Sequence, residues 1–283
     1  MNIPSNTSSF IPELWAADIQ KNRTNNLVML NLVNKQYESQ VLSKGDTVHI
    51  EAMDEFTTTT IDPAVGLTVS AATVSETTLV IDQYVGFARA VQDMLKKQSA
   101  YDLRAAFVER GGRALATAID SYLTSRGSAA VGGFTTKRTA VASLTYNEFV
   151  DAMGVLDAVN VPQEGRAFVV NGVGLADLRK VSEFHFYGNA GETPLKKVPT
   201  NGLVGDIFGV PIYLTEAVIK NAGNTAWQFL LFHKEAIAAA VQLKPEMEHD
   251  RDILKKADIL TGSTLFGAKV VRPNHGVVIQ RTV

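Results

Sequence analysis

The sequence contains no cysteine. This absence excludes disulfide bonds, thiolate metal sites and a cysteine nucleophile, and it is typical of a protein made in a reducing compartment. The chain also lacks the run of about 18 apolar residues that a membrane-spanning helix needs. Its first residues have neither the basic start nor the apolar core of a signal peptide. These absences predict a soluble protein made in the cytosol.

The chain has almost no excess of charge of either sign, with 27 basic and 29 acidic residues and a formal net charge of -2. It therefore lacks the basic excess that binds a nucleic-acid backbone tightly, although nucleic acid could still be enclosed without being gripped. The 283 residues are 46% hydrophobic, which predicts a globular chain with one elaborate domain or two smaller ones.

Motifs for catalysis, cofactors and metals are also missing. The histidines stand singly, without the spacing that places two imidazoles on one metal ion, and nucleophile contexts such as G-x-S-x-G are absent. The segment 171–177 resembles a dinucleotide-binding turn, but Asp177 replaces the third glycine and would repel a phosphate. We therefore predict no catalytic residue, no cofactor, no metal and no enzymatic activity, with a nucleotide-dependent enzyme as a remote alternative.

Acidic and β-forming residues are concentrated in residues 45–80, which carry six acids and no lysine or arginine. Apolar and polar residues alternate on both sides of the turn-forming segment 62–66, and this pattern predicts a long β-hairpin. An isolated hairpin is marginally stable in water. Because the neighbouring sequence offers no obvious sheet, we expect another subunit to support this hairpin.

Large apolar residues lie near the N-terminus, in residues 1–43. Among them are Phe10 and Trp15. This segment is either a helix docked on the chain's own core or an arm laid across another subunit.

A long helix is predicted over residues 99–125, opened by a capping pair of Ser99 and Asp102. Gly111 and Gly112 in its middle predict a bend or a close backbone approach. The helical wheel predicts a buried face with Leu103, Phe107, Ala114, Ala118 and Tyr122, and a charged face with Asp102, Glu109, Arg113 and Asp120.

A Gly-, Ser- and Thr-rich stretch at residues 125–139 marks a domain border, after which helices and strands alternate in a mixed α+β pattern. The last strand runs are expected to rejoin the body that carries the long helix. Predicted helices cover 145–161, 174–181 and 235–241, and predicted strands cover 167–170, 210–214, 229–232, 241–249 and 267–280.

Read in order, several segments resemble the major capsid proteins of tailed bacteriophages. The N-terminal segments are 10–15 (FIPELW), 26–34 and 45–50, and they are followed by 109–120 (ERGGRALATAID), which is similar to the family's spine helix. The later segments are 205–213 (GDIFGVPIY) and 233–246. Each motif is loose, but their order and spacing are specific, and together they cover nearly the whole chain.

The resemblance implies an α+β fold of the Hong Kong 97 type. It divides the chain into an N-terminal arm (1–43), an extended hairpin called the E-loop (44–82), a peripheral domain with the spine helix (83–139), an axial domain (140–240) and return strands, mainly in the peripheral domain (241–283). The implied function is that of a structural protein, a major capsid protein that self-assembles through pentamers and hexamers into an icosahedral shell enclosing phage double-stranded DNA.

The resemblance also implies partners and a location. The chain is expected in the virion, assembled in the host bacterial cytoplasm, with a portal protein and with DNA enclosed without sequence-specific binding, and with no membrane. Since the chain enters the arm almost at once, a separate scaffolding protein is expected. Residues 45–80 lack the lysine that some relatives crosslink to an asparagine, so crosslinking by that route is not expected. The alternative is an encapsulin-like nanocompartment shell.

The separation of charge by segment predicts where subunits meet. We expect the acidic hairpin of one subunit to lie over the long helix of the next, with Asp54 and Glu55 near Arg110 or Arg113. Phe10 and Trp15 of the arm complete the predicted interface.

Overall fold

The structure is a computed structural model that describes residues 28–41, 47–53, 58, 61, 74–93, 103–128, 133–181, 185–186 and 202–283. Four predicted interface residues, Phe10, Trp15, Asp54 and Glu55, lie outside these ranges, as does the predicted capping pair at the start of the long helix.

Helices and strands both contribute to the fold, which confirms the α+β class. The helices are α1 (Met29–Leu32), α2 (Glu38–Val41), α3 (Leu103–Gly127), α4 (Tyr146–Ala158) and α5 (Gly172–Leu178). The strands are β1 (Thr47–Met53), β2 (Val74–Val80), β3 (Gln83–Gln92), β4 (Thr136–Lys137), β5 (Arg166–Val170), β6 (His185–Phe186), β7 (Leu203–Ile207), β8 (Val210–Leu214), β9 (Ala226–His233), β10 (Ile237–Asp252), β11 (Ala257–Val270) and β12 (Gly276–Thr282).

The larger sheet has seven strands in the order β4-β12-β9-β5-β8-β7-β6. At its centre β5 is buried at every position, pairs with β9 antiparallel and with β8 parallel, and confirms the strand that the short apolar run at 167–170 predicted. Helix α4 lies against this sheet, with the ring of Phe149 5.3 Å from that of Phe168. The main apolar core of the described residues lies here.

The smaller sheet has three strands in the order β10-β11-β3 and packs against the long helix α3. Phe87 of β3 fills the contact. A Cβ atom at Gly111 would lie 2.0 Å from Cζ of Phe87, and one at Gly262 of β11 would lie 2.6 Å from Cε1 of the same ring. The mid-helix glycine therefore allows the close backbone approach that the sequence predicted.

The buried face of α3 differs from the predicted one. Leu115, Ile119 and Leu123 are buried, whereas Ala114 is exposed, and Asp120, which the helical wheel placed on the charged face, is only 1% exposed. The prediction of these two positions was wrong. Asp120 is buried because α3 contacts the segment at α1 as well as the small sheet, whereas Ala114 lies outside both contacts.

The predicted hairpin is confirmed where the structure describes it. β1 and β2 pair antiparallel from Thr47↔Val80 to Met53↔Val74. The expectation that the hairpin lacks support from its own chain is wrong for its base, because Val48, Ile50 and Leu79 pack in a small apolar cluster with two alanines of β10, Ala238 and Ala240. The residues between β1 and β2 are outside the described ranges, apart from positions 58 and 61.

An antiparallel ribbon, interrupted once, runs through the three-stranded and the seven-stranded sheet. β9 and β12 pair up to Phe232↔Gly276, and their continuations β10 and β11 pair from Ile237↔Val270. The helix predicted at 235–241 is wrong: a single 3-10 turn, Lys234–Ala236, is followed by β10, since cross-strand pairing overrides the helical preference of alanine. The strand run predicted at 267–280 is interrupted by a second 3-10 turn, Pro273–His275.

The division of the chain into arm, hairpin, peripheral domain and axial domain stays a prediction. β10 and β11 lie beside α3, as expected for the return strands, but β12 lies in the seven-stranded sheet, between β4 and β9. The predicted short helix at 174–181 is α5, which begins and ends a few residues earlier.

Candidate assembly surfaces

The charged stripe on α3 carries the two predicted interface residues that the structure describes, Arg110 and Arg113. Arg110 is exposed. Arg113 Nη2 lies 3.4 Å from Glu109 Oε1, one helical turn earlier, and this partly exposed ion pair is worth only about 0.2–0.5 kcal/mol. A pair of this strength contributes little to the fold.

The hairpin base presents acids to its exposed side. Glu51 and Glu76 face each other in the register of β1 and β2, and like charges in directly opposite positions destabilise a strand pair. The nearby His49 contacts the Glu76 carboxylate. The negative charge of these two glutamates makes the outer side of the hairpin base suited to contact a basic surface. It agrees with the acidic hairpin that the sequence predicted.

Asp120 anchors the segment from which the predicted arm extends. Its Oδ2 accepts a hydrogen bond from the Val28 backbone N–H at 2.8 Å, across 92 residues of sequence. Burial raises the pKa of this carboxyl group, and backbone N–H donation from Val28, Met29 and Leu30 opposes that rise. Sequence reasoning missed this residue, because an acid at this point of an amphipathic helix gives no local sign of a partner so far away.

Exposed apolar side chains mark two turns between strands. Leu254 is 96% exposed and Ile253 70% exposed at the tip of the β10–β11 hairpin. The base of this tip is tied down by Arg251, whose Nη2 lies 2.6 Å from Asp93 Oδ2. At the β7–β8 turn, Phe208 is 60% exposed. Adjacent large apolar residues held on a firm hairpin are typical of a contact surface.

A shallow cavity of about 330 Å³ lies between α4 and the β7–β8 turn. Behind its wall, the fully buried side chain of Arg166 donates to the Asp157 carboxylate at 2.6 Å and to the carbonyl oxygens of Val161 and Pro162. These contacts join α4 to β5, so the arginine has a structural role. The cavity is lined by Val150, Met153, Gly154, Asp157, Gln163, Phe208 and Val210, and this lining holds no pair of a nucleophile and a base.

The turn at 171–177 serves packing rather than phosphate binding. Asn171 caps α5, accepting hydrogen bonds from the N–H groups of Val173 and Gly174 at 3.1 and 3.0 Å. Gly174 lies against Phe229, where a Cβ atom would be 2.6 Å from the ring. The N–H groups that would hold a phosphate are therefore occupied by the cap.

Asp177 at the end of this turn is the centre of a buried polar cluster. Its Oδ2 accepts from Arg281 Nε at 3.0 Å and from the Leu144 N–H at 3.2 Å, and its Oδ1 accepts from Lys180 at 3.3 Å. Burial opposes ionisation, but these donors together hold the pKa of Asp177 below its usual value. The cluster ties α5 to β12.

Within the described ranges, no helix is long and apolar enough to cross a membrane, and no group of three or more His, Asp or Glu side chains is placed to hold a metal ion.

No protein-family model and no curated protein sequence matches the chain. Among solved structures, one from Mycobacterium phage Che8 is 27% identical, with a TM-score of 0.73 over 95% of this chain and 97% of that chain. The capsid of cyanophage P-SCSP1u is 17% identical, with a TM-score of 0.73 over 96% of this chain and 93% of that chain. The capsid of a native GTA particle is 12% identical, with a TM-score of 0.66 over 99% of this chain and 98% of that chain.

These likenesses favour neither the nanocompartment nor the enzyme alternative. They confirm the α+β capsid fold and the resemblance of this chain to the major capsid proteins of tailed phages, and they support a structural role for it in the capsid of a virion.

Proposed function

We propose that the chain self-assembles through pentamers and hexamers into an icosahedral shell that encloses phage double-stranded DNA. The observation that carries the proposal is the likeness to capsid structures over 95–99% of the chain. Identical subunits joined head to tail close into rings, and curved rings close into a shell.

The proposal divides the chain into arm, hairpin, peripheral and axial parts at the boundaries given above, in the manner of the Hong Kong 97-type fold. In this division, the small sheet with α3 belongs mainly to the peripheral part. Strands β5 to β9 of the large sheet belong to the axial part, and β4 and β12 join that sheet from outside the axial boundaries. The shell is assembled in the host bacterial cytoplasm, with a separate scaffolding protein and a portal protein. The net charge of -2 suits a wall that holds DNA without gripping it.

The contact that we propose to join neighbouring subunits is electrostatic at its centre and apolar at its edges. Asp54 and Glu55 of one hairpin lie near Arg110 or Arg113 of the next subunit, and Phe10 and Trp15 of the arm bury apolar area. Each exposed ion pair contributes about 0–1 kcal/mol, so closure depends on many copies acting together.

Negative-stain electron microscopy of the purified chain, expressed with and without its proposed scaffolding protein, tests shell formation. Closed shells of uniform size with the scaffold, and irregular particles without it, are the expected results. A chain that stays monomeric at high concentration in both cases would refute assembly. Uniform shells from the chain alone would refute the need for a scaffold.

Charge reversal tests the proposed contact. Reversing Asp54 and Glu55 to lysine should lower shell yield and alter its salt dependence, and a second reversal of Arg110 or Arg113 to glutamate should restore both. The matched control reverses Glu164 and Glu216, which are exposed on the large-sheet body. If the control and the hairpin variant lower the shell yield equally, net charge and not this contact governs assembly.

The contents of purified particles distinguish a phage capsid from a nanocompartment shell. Encapsulated double-stranded DNA is expected, whereas a protein cargo would support the nanocompartment alternative. The lining of the described cavity pairs no nucleophile with a base. We propose that the chain has no enzymatic activity, and hydrolysis of a nucleotide by purified subunits would contradict this.

A further inference from the structure

The ribbon shared by the two large sheets is interrupted at one place. Residues 233–236 connect β9 to β10, and residues 271–275 connect β11 to β12, so that two 3-10 turns lie side by side between the sheets. The turns are tied by the Ala236 carbonyl, which accepts from the N–H groups of Val271 and Arg272 at 2.9 and 3.2 Å. We call residues 233–236 and 271–275 together the joint.

Side chains of the two connectors pair across the joint. Arg272 Nη1 lies 3.0 Å from Glu235 Oε2. The rings of His233 and His275 meet edge to face, with centroids 6.0 Å apart and planes at 71°. Two of the five histidines of the chain therefore meet where both connectors pass between the sheets.

His233 acts as a hydrogen-bond acceptor in this geometry. Its Nδ1 accepts a hydrogen bond from the Glu235 N–H at 3.3 Å and so caps the first 3-10 turn. A proton on Nδ1 would turn this acceptor into a donor that faces another donor, and the cap would be lost. The residue is only 7% exposed, so its ring packs within the joint.

His275 is held neutral. Its Nδ1 is buried and has no hydrogen-bond partner. Burial lowers the pKa of His275, the charges of Arg272 and His233 lower it further, and Glu235 alone raises it. Among the described neighbours of the pair, Gly165 lies beside His233, Arg166 of β5 is the cross-strand neighbour of His233, and Thr135 bonds to Asn274. The charged residues next along the chain are Lys234 and Glu164.

We propose that the joint is a pH-sensitive switch in which His275, packed against the ring of His233 with its buried Nδ1 unpartnered, holds the two sheets in the observed orientation while it is neutral and releases them when it is protonated. Acid would place the His275 imidazolium ion beside the Arg272 guanidinium, with Glu235 as the acid of the joint, and would disturb the His233 ring that caps the first turn. A histidine whose folded pKa lies below its unfolded pKa stabilises the fold above the unfolded pKa. That stabilisation is lost as the pH falls through the lowered pKa, which places the release on the acidic side of neutrality.

The relative position of the two sheets can be measured directly, because the chain has no native cysteine to interfere with labelling. Spin labels at Glu248→Cys in β10 and Ala158→Cys at the end of α4 occupy exposed positions on the two bodies. Labelled chains are diluted into unlabelled chains, so that only distances within one chain are recorded. Distance distributions are then compared at about pH 7.5 and about pH 5, on either side of the ordinary histidine pKa.

The expected result is a reversible shift or broadening of the distribution at the lower pH. The double variant His233→Asn with His275→Gln, whose asparagine keeps a capping oxygen without titrating, should give the same distribution at both pH values. The control His249→Gln, at an exposed site on β10, should keep the response. A parent distribution that does not change with pH would overturn the proposal.

A response that persists in the double variant would likewise assign the effect to other groups and overturn the proposal. If that variant does not fold, His275→Gln alone serves, since it removes the titrating group and should abolish the response. A distance altered equally at both pH values, with the response intact, would show that the histidine only shapes the joint. Because the distance is measured within one chain, the experiment is independent of whether shells form.

Discussion

The contact of Phe87 with Gly111 leads to a prediction about two neighbouring glycines. In the middle of α3, Gly111→Ala and Gly112→Ala should have opposite effects on stability. Replacing glycine by alanine inside a helix stabilises it by about 1 kcal/mol. At Gly112 the new methyl group would have one neighbour, Cε of Met247 at 3.4 Å, so this gain should be measured nearly in full. The free energy of unfolding of Gly112→Ala should therefore rise.

At Gly111 the same methyl group would lie 2.0 Å from Cζ of Phe87 and 2.7 Å from both Cε atoms. The ring cannot withdraw into the sheet, because its other side lies against Gly262. Overpacking of this kind costs about 1–3 kcal/mol. Since both variants gain the same helical preference, the difference between them isolates this packing cost, and Gly111→Ala should be less stable than Gly112→Ala by about 1–3 kcal/mol.

Urea unfolding of unassembled chains gives both free energies, and a double-mutant cycle with Phe87→Ala identifies the cause. Without the ring, Gly111→Ala should become stabilising, as Gly112→Ala is. The reasoning is refuted if the two alanine variants are equally stable, or if the penalty at position 111 persists in the Phe87→Ala background.

Three further predictions concern polar contacts. Asn171→Ala should lower the free energy of unfolding by about 1 kcal/mol through loss of the α5 cap, and Asn171→Asp should retain most of it, as urea titration will show. Arg281→Met removes a hydrogen-bond donor from Asp177 and should lower the free energy of unfolding by about 3 kcal/mol near neutrality. Because the folded pKa of Asp177 is lowered, this loss should shrink as the pH falls through that pKa. A loss that does not change with pH would contradict the pairing. Burial raises the folded pKa of Asp120, so ionisation of this carboxyl group lowers the free energy of unfolding as the pH rises through that pKa. Asp120→Asn should therefore flatten the pH profile of the free energy of unfolding above the ordinary carboxyl range. Asp120→Ala removes the acceptor for the Val28 N–H and should speed limited proteolysis near Val28.

Local patterns predicted the elements whose structure is set locally. The apolar run at 167–170 is a buried strand, since strands between two neighbours are apolar on both faces. The alternation of apolar and polar residues after position 45 predicted the first strand of the hairpin, and the paired glycines of α3 predicted the close approach between this helix and the small sheet. In each case a few adjacent residues carry the information.

The failures share a different cause, which is a partner distant in sequence. The alanines at 238–240 favour a helix locally, but pairing with β11 and packing under the hairpin make them strand. Asp120 looks like a surface acid, but Val28 turns it into a buried anchor. The joint histidines were dismissed as isolated because 42 positions separate His233 from His275, and only the antiparallel ribbon brings them together.

The position of β12 has a consequence for synthesis on the ribosome. This strand lies between β4 and β9, and its Val277, Val278 and Ile279 are fully buried. A nascent chain that has reached only β11 still has an open gap in its large sheet, with the edge of β9 unpaired. The sheet closes only after residues 276–282 emerge, so an unfinished chain cannot present the complete body to its neighbours, and docking must follow translation of this strand.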